Sequence, residues 1–164
     1  KWLILNVFTT FLAASVVGLF QDTIEKQVLL AVYMPIVAGM GGNAGTQTLA
    51  VVVRGLSFSE LKGKEVLQTL KNEVMAGFTN GLINGLVVFS IVMVLNRNVL
   101  VGVVLGFAMI VNLVISATFG TIVPVIMKRL GKDPASSASI FITTATDVFG
   151  FMAFLGLASI LLTR

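Results

Sequence analysis

Five apolar runs, each close to the length needed to cross a lipid bilayer, limit what this chain can fold into. They cover about residues 2–20, 27–53, 74–95, 99–127 and 135–162. A hydrocarbon layer of about 30 Å needs roughly 20 helical residues at ~1.5 Å each. Only 11% of the 164 residues are charged and 57% are hydrophobic, whereas a soluble domain carries roughly 25% charge. Backbone in lipid must satisfy its own hydrogen bonds, which selects helices. The expected fold is an all-α integral membrane protein with five transmembrane helices, a single domain over residues 1–164 set in the lipid bilayer.

The sequence contains no cysteine and no histidine. Disulfides, thiol catalysis, Cys-based zinc sites and the commonest general base are therefore excluded. The formal charge of +4 does not point to nucleic acid, because the basic residues flank the apolar runs as topology signals. One set of flanks holds Lys1, Arg54, Lys62, Lys64, Lys71, Lys128, Arg129 and Lys132; the other holds Lys26, Arg97 and Arg164. The richer side is expected to be cytoplasmic, which puts the N-terminus inside and the C-terminus outside a cell (inner) membrane. The opening KWLILNVFTTFLAASVVGLF is too long for a signal peptide and lacks a small-residue cleavage site. Its abrupt start at Lys1 and Trp2 suggests a soluble part upstream. The charged stretch between the second and third runs is partly amphipathic and suits a short surface helix.

The second run is unusual in its middle, MPIVAGMGGNAGTQTLAVVVRG, where Pro35, Gly39, Gly41, Gly42 and Gly45 crowd around Asn43, Thr46 and Gln47. Proline and glycine weaken the helical ladder. In lipid, a freed carbonyl survives only against protein or a wet cavity. The expectation is a broken second helix lining a hydrophilic path. In the third run Gly77, Gly81 and Gly85 form a small-xxx-small stripe for close helix approach, with Asn80 and Asn84 beside it to bond a neighbouring helix. Asn112, Ser116 and Gly120 of the fourth run suit helix packing in the same way.

Asp147 lies 13 residues past Pro134, about 20 Å along the fifth helix, and reads as the acid deep inside an apolar run; Glu73 reads as the edge of a span. Thr143, Asp147 and Gly150 share one helix face. A mid-membrane carboxylate with no intramembrane Lys or Arg is a functional candidate by its energetic cost. A neutral packed acid, a proton carrier and a cation site all remain open, and the residues favour the cation. Without His or Cys, the ligands are carboxylate, amide, hydroxyl and carbonyl oxygens, which suit Mg²⁺, Ca²⁺ or Mn²⁺. Mg²⁺ keeps most of its water, so one or two carboxylates within a ring of amides and carbonyls suit it. A two-fold homodimer would supply two copies of Asp147. A secondary transporter coupling the cation to Na⁺ or H⁺ is the alternative, since broken helices and midplane carboxylates serve transporters too. An enzyme is not expected: there is no H-E-x-x-H motif and no Ser–His pair.

PIVAGMGGNAGTQTLAVVVRGL, followed by KRLGKDPA and TTATDVFGF, resembles the transmembrane domain of MgtE-type magnesium channels over essentially the whole chain. The resemblance implies a homodimeric channel for Mg²⁺, the transported and bound ion, lined mainly by the second and fifth spans. It implies that Asp147 holds hydrated Mg²⁺ through water. Gly42, Asn43 and Gln47 match the family's polar positions on the second span, and Thr143 matches a position whose carbonyl faces the ion. Thr46 stands where some members carry a second asparagine, and Ser139 and Ile140 replace a pair that often ends in proline. Family members usually carry fused cytosolic N-terminal and CBS regulatory domains, which are absent from this chain.

Overall fold

The computed structural model describes residues 1–57 and 63–162. Glu60 and Lys62 of the charged stretch, and Arg164, lie outside the described residues. Six helices follow one another: α1 Trp2–Gly18, α2 Gln21–Lys26, α3 Leu29–Ser57, α4 Lys64–Asn96, α5 Val99–Arg129 and α6 Pro134–Leu162. Four of them, α3 to α6, are long and apolar enough to cross a membrane; α1 is apolar but has 17 residues.

Helix α5 is the hub, packed against α3, α4 and α6. It is apolar around nearly its whole circumference, as a helix buried on several sides must be. Val101, Val104, Leu105, Ala108 and Met109 are buried together with Leu30, Val37 and Phe154 in the main core. The few polar groups of α5 turn inward. Asn112 Nδ2 donates to Val37 O at 2.7 Å, and Ser116 Oγ donates to Gly41 O at 2.8 Å. These bonds run α3 parallel to α5, with Gly45 at the level of Ser116 and Gly120 against Thr48.

Helix α4 runs antiparallel to α5 at backbone contact. A Cβ at Gly77, Gly81 or Gly85 would land 2.7 Å from Leu113 O, Ile110 Cα or Gly106 O, respectively. Helix α1 lies along α6 in the same direction. Trp2 packs edge-on to Phe141 at one end, and Phe20, just past α1, approaches Gly156 at the other.

Two expectations need correction. The second apolar run is not broken: α3 continues from Leu29 to Ser57 through all four central glycines. None of these glycines has a positive φ, and α5 buries Gly41 and Gly45 while hydrogen-bonding the carbonyls of Val37 and Gly41. Packing on that side holds a ladder that glycine alone would weaken. Helix α4 starts at Lys64, so the end of the charged stretch, from residue 64 on, forms its first turns. Asn84 does not reach a neighbouring helix; its Nδ2 donates to Asn80 O one turn back, at 2.8 Å.

Hydroxyls inside the helices mostly fold back in the same manner. Thr46, Thr79, Ser90, Thr118 and Thr121 each donate to the carbonyl four residues earlier, at 2.8–2.9 Å.

Candidate functional site

Helix α6 begins at an Asp-Pro pair. The Asp133 carboxylate accepts the N–H groups of Ala135 and Ser136 at 3.2 and 3.1 Å, filling donors that the first turn leaves open. From this start α6 passes antiparallel to α3. A Cβ at Gly45 would strike Ile142 Cγ2 at 2.4 Å, and one at Gly42 would lie 3.8 Å from Thr143 Cγ2. The glycines bring the two helices close enough that α3 and α6 form one wall.

One face of that wall has no partner among the described residues. Gly39, Asn43, Thr46 and Ala50 are exposed along α3, at the spacing of a single helical stripe. Gly42 is half-buried at the border with α6. On α6, Thr143 and Asp147 are half-buried, one turn apart. The Thr143 hydroxyl donates within its own helix to Ser139 O and Ile140 O, and its carbonyl accepts the Thr146 hydroxyl at 2.9 Å. The Asp147 carboxyl has neither a hydrogen-bond donor nor a cation among the described residues. Those residues also contain no cluster of three His, Cys, Asp or Glu side chains. A metal held here would meet one carboxylate per chain and neutral oxygens.

Gln47 takes a different direction from Gly42. Five residues separate them, about 140° around the helix, and Gln47 turns onto the groove between α3 and α4. It lines a cavity of about 200 Å³ there with Thr48, Glu73, Ala76, Gly77 and Asn80. Glu73 stands at this groove, which is open where Gln47, Ala76 and Asn80 are exposed. It is half-buried, and Thr48 Oγ1 donates to its Oε2 at 3.0 Å. The residues missed it because the charged stretch before position 74 reads as a loop; the amphipathic pattern there was the available signal.

Behind the wall sits Asn112, fully buried. Gly41 of α3 and Gly150 of α6 close on its carboxamide; a Cβ on either would come within 2.4 and 2.8 Å of it, respectively. The site face and its support are thus joined through one amide.

The sequence profile of the MgtE family, described as a divalent cation transporter, matches residues 34–157. "Magnesium transporter MgtE" of Bacillus subtilis (strain 168) is 34% identical over 158 residues, covering 96% of this chain and 35% of that protein. The protein of the same name from Enterococcus faecalis is 33% identical with the same coverage, and that of Thermus thermophilus is 27% identical over 99% of this chain. The chain spans about a third of the length of these relatives. With four membrane-length helices and this profile across α3 to α6, the chain belongs to the MgtE family of divalent cation transporters.

Proposed function

We propose that two copies of this chain form a pore that conducts hydrated Mg²⁺ across the cell membrane. The observation that carries this reading is the uncovered stripe of Gly39, Asn43, Thr46 and Ala50 beside the cation-free carboxylate of Asp147. Lipid strands the Asn43 amide and the Asp147 carboxylate at a cost of several kcal/mol each, so this face meets water or a second protomer. A two-fold pairing of the α3–α6 walls gives both, with two Asp147 carboxylates around a wet axis.

The chemistry of the stripe agrees with the name its relatives carry. Mg²⁺ dehydrates reluctantly and uses one or two carboxylates with its waters retained. Asp147 supplies the charge, while the Asn43 amide supplies a neutral contact to those waters. Small side chains at Gly39, Gly42 and Ala50 leave room for the shell. In this reading α1 is the fifth span, and the ends holding Arg54, Lys71, Lys128 and Lys132 face the cytoplasm. The relatives extend well beyond the segment this chain matches, which leaves room for further domains fused to the pore. The family the chain belongs to is one of transporters rather than enzymes.

Uptake of Mg²⁺ into proteoliposomes, followed by an entrapped dye, tests the proposal. Asp147→Asn and Asp147→Ala are each expected to lower the initial rate by about tenfold or more, that being ~1.4 kcal/mol at the site. Undiminished uptake in both would overturn it. Uptake that persists without a Na⁺ or H⁺ gradient, and follows an imposed voltage, separates conduction from coupled exchange.

A further inference from the structure

A second carboxylate lies at the groove between α3 and α4, and the pore reading does not use it. Glu73 sits in the third turn of α4, half-buried, facing α3. Its Oε2 accepts the Thr48 hydroxyl; its Oε1 has no donor among the described residues, and no Lys or Arg there forms an ion pair with it. The adjoining cavity of about 200 Å³ holds the amides of Gln47 and Asn80 as well, and neither amide has a side-chain hydrogen bond among the described residues. Such a space accommodates several waters.

A half-buried carboxylate with no cationic side chain beside it among the described residues leaves its charge to water or to a bound cation. The donor set around it is one carboxylate oxygen still open, two amide oxygens and room for water. That is an oxygen-only set for a hard cation which keeps its hydration. Thr48 is itself buried, and its donated bond fixes the direction of the carboxylate, as second partners do for metal-binding groups.

The location separates this cavity from the first site. Thr48 lies seven residues beyond Gly41, about 10 Å further along α3 toward Arg54. Gly42 and Asn43 belong to the flank of α3 beside Asp147; Gln47 and Thr48 belong to the flank beside Glu73. One helix therefore walls both.

We propose that the α3–α4 cavity at Glu73 is a second station for a hydrated divalent cation, offset from Asp147 toward the basic end of the bundle. It rests on the reading of the chain as a divalent cation pathway.

Binding of Mn²⁺ to the purified chain in lipid nanodiscs, read by electron paramagnetic resonance, tests the second station directly. The Asp147→Asn protein, whose first station is disabled, is expected to retain bound Mn²⁺. Adding Glu73→Gln should weaken that remaining binding by about tenfold or more. Ala76→Leu, which keeps every donor but fills the cavity, should do the same. Elution on size exclusion reports whether each variant is folded; should Glu73→Gln misfold, Ala76→Leu decides. Absence of Mn²⁺ from the Asp147→Asn protein, or retention undisturbed by the deciding variant, overturns the proposal. Failure of the pore reading shows separately, as uptake unaffected by the Asp147 substitutions.

Discussion

The side-chain Nδ2 of Asn112 donates to the backbone carbonyl of Val37 at 2.7 Å, while its equally buried Oδ1 meets no donor among the described residues. The amide is thus held by one bond and by shape, between Gly41 and Gly150.

Gly150→Ala should expose that clamp. The added methyl lands 2.8 Å from the Asn112 carboxamide, and overpacking of this kind destabilises by about 1–3 kcal/mol. In an Asn112→Ala background the obstacle is gone, so the penalty should shrink, with a coupling of about 0.5–3 kcal/mol. Thermal unfolding midpoints of the four proteins in one detergent measure it. Equal penalties in both backgrounds would remove Asn112 as the obstacle.

On the open stripe, Asn43 and Thr46 should respond differently. The Thr46 hydroxyl already donates to Gly42 O at 2.8 Å, so Thr46→Val removes little that water or an ion uses. Uptake of Mg²⁺ by Thr46→Val is expected to stay within about twofold of the parent, a difference of ~0.4 kcal/mol. Asn43→Leu removes an exposed amide and should reduce uptake about tenfold or more, ~1.4 kcal/mol.

The α4–α5 seam should be intolerant of a single methyl. At Gly85 a Cβ would lie 2.7 Å from Gly106 O, and backbone yields less readily than a side chain. Gly85→Ala should lower stability by about 1–3 kcal/mol. Gly18→Ala, with nothing within 4 Å of the new Cβ, serves as the neutral comparison. A Gly85→Ala melting point equal to that of Gly18→Ala would contradict the close contact.

Acid should loosen the start of α6. The Ser136 side chain, then the Ala135 N–H, holds the Asp133 carboxyl below its ordinary pKa. A depressed folded pKa means the stabilisation is complete above the unfolded value of about 3.9 and is lost as pH falls through the folded value. Amide exchange at residues 135–137, corrected for its intrinsic pH dependence, should quicken below about pH 4. Asp133→Ala should exchange faster at neutral pH and show no such step.

Run lengths alone gave the four long helices, because about 20 apolar residues admit few other structures in lipid. The Gly77–Gly81–Gly85 spacing marked a stripe that meets α5, since small residues at four-residue intervals share one helix face. What remained hidden depended on neighbours. The continuity of α3 relies on Asn112 and Ser116, more than 70 positions away in the chain, so local propensity argued for a break that tertiary hydrogen bonds prevent. Glu73 reads as the edge of a span because its charged neighbours resemble a loop; the extension of α4 back to Lys64 places it on a helix, where Thr48 reaches it. Gln47 and Asn43, four apart, looked equivalent, yet α4 stands close to one and leaves the other bare.

The inward-folded hydroxyls have a consequence for where this protein is wet. A threonine that spends its proton on its own helix presents mainly its methyl to the surroundings, so a site such as Thr79 blends into hydrocarbon. A carboxamide carries two protons and an oxygen and cannot hide them all this way. The hydration boundary of the bundle should therefore follow Asn43, Gln47 and Asn80, three side chains that trace a moist track around α3 from one carboxylate to the other.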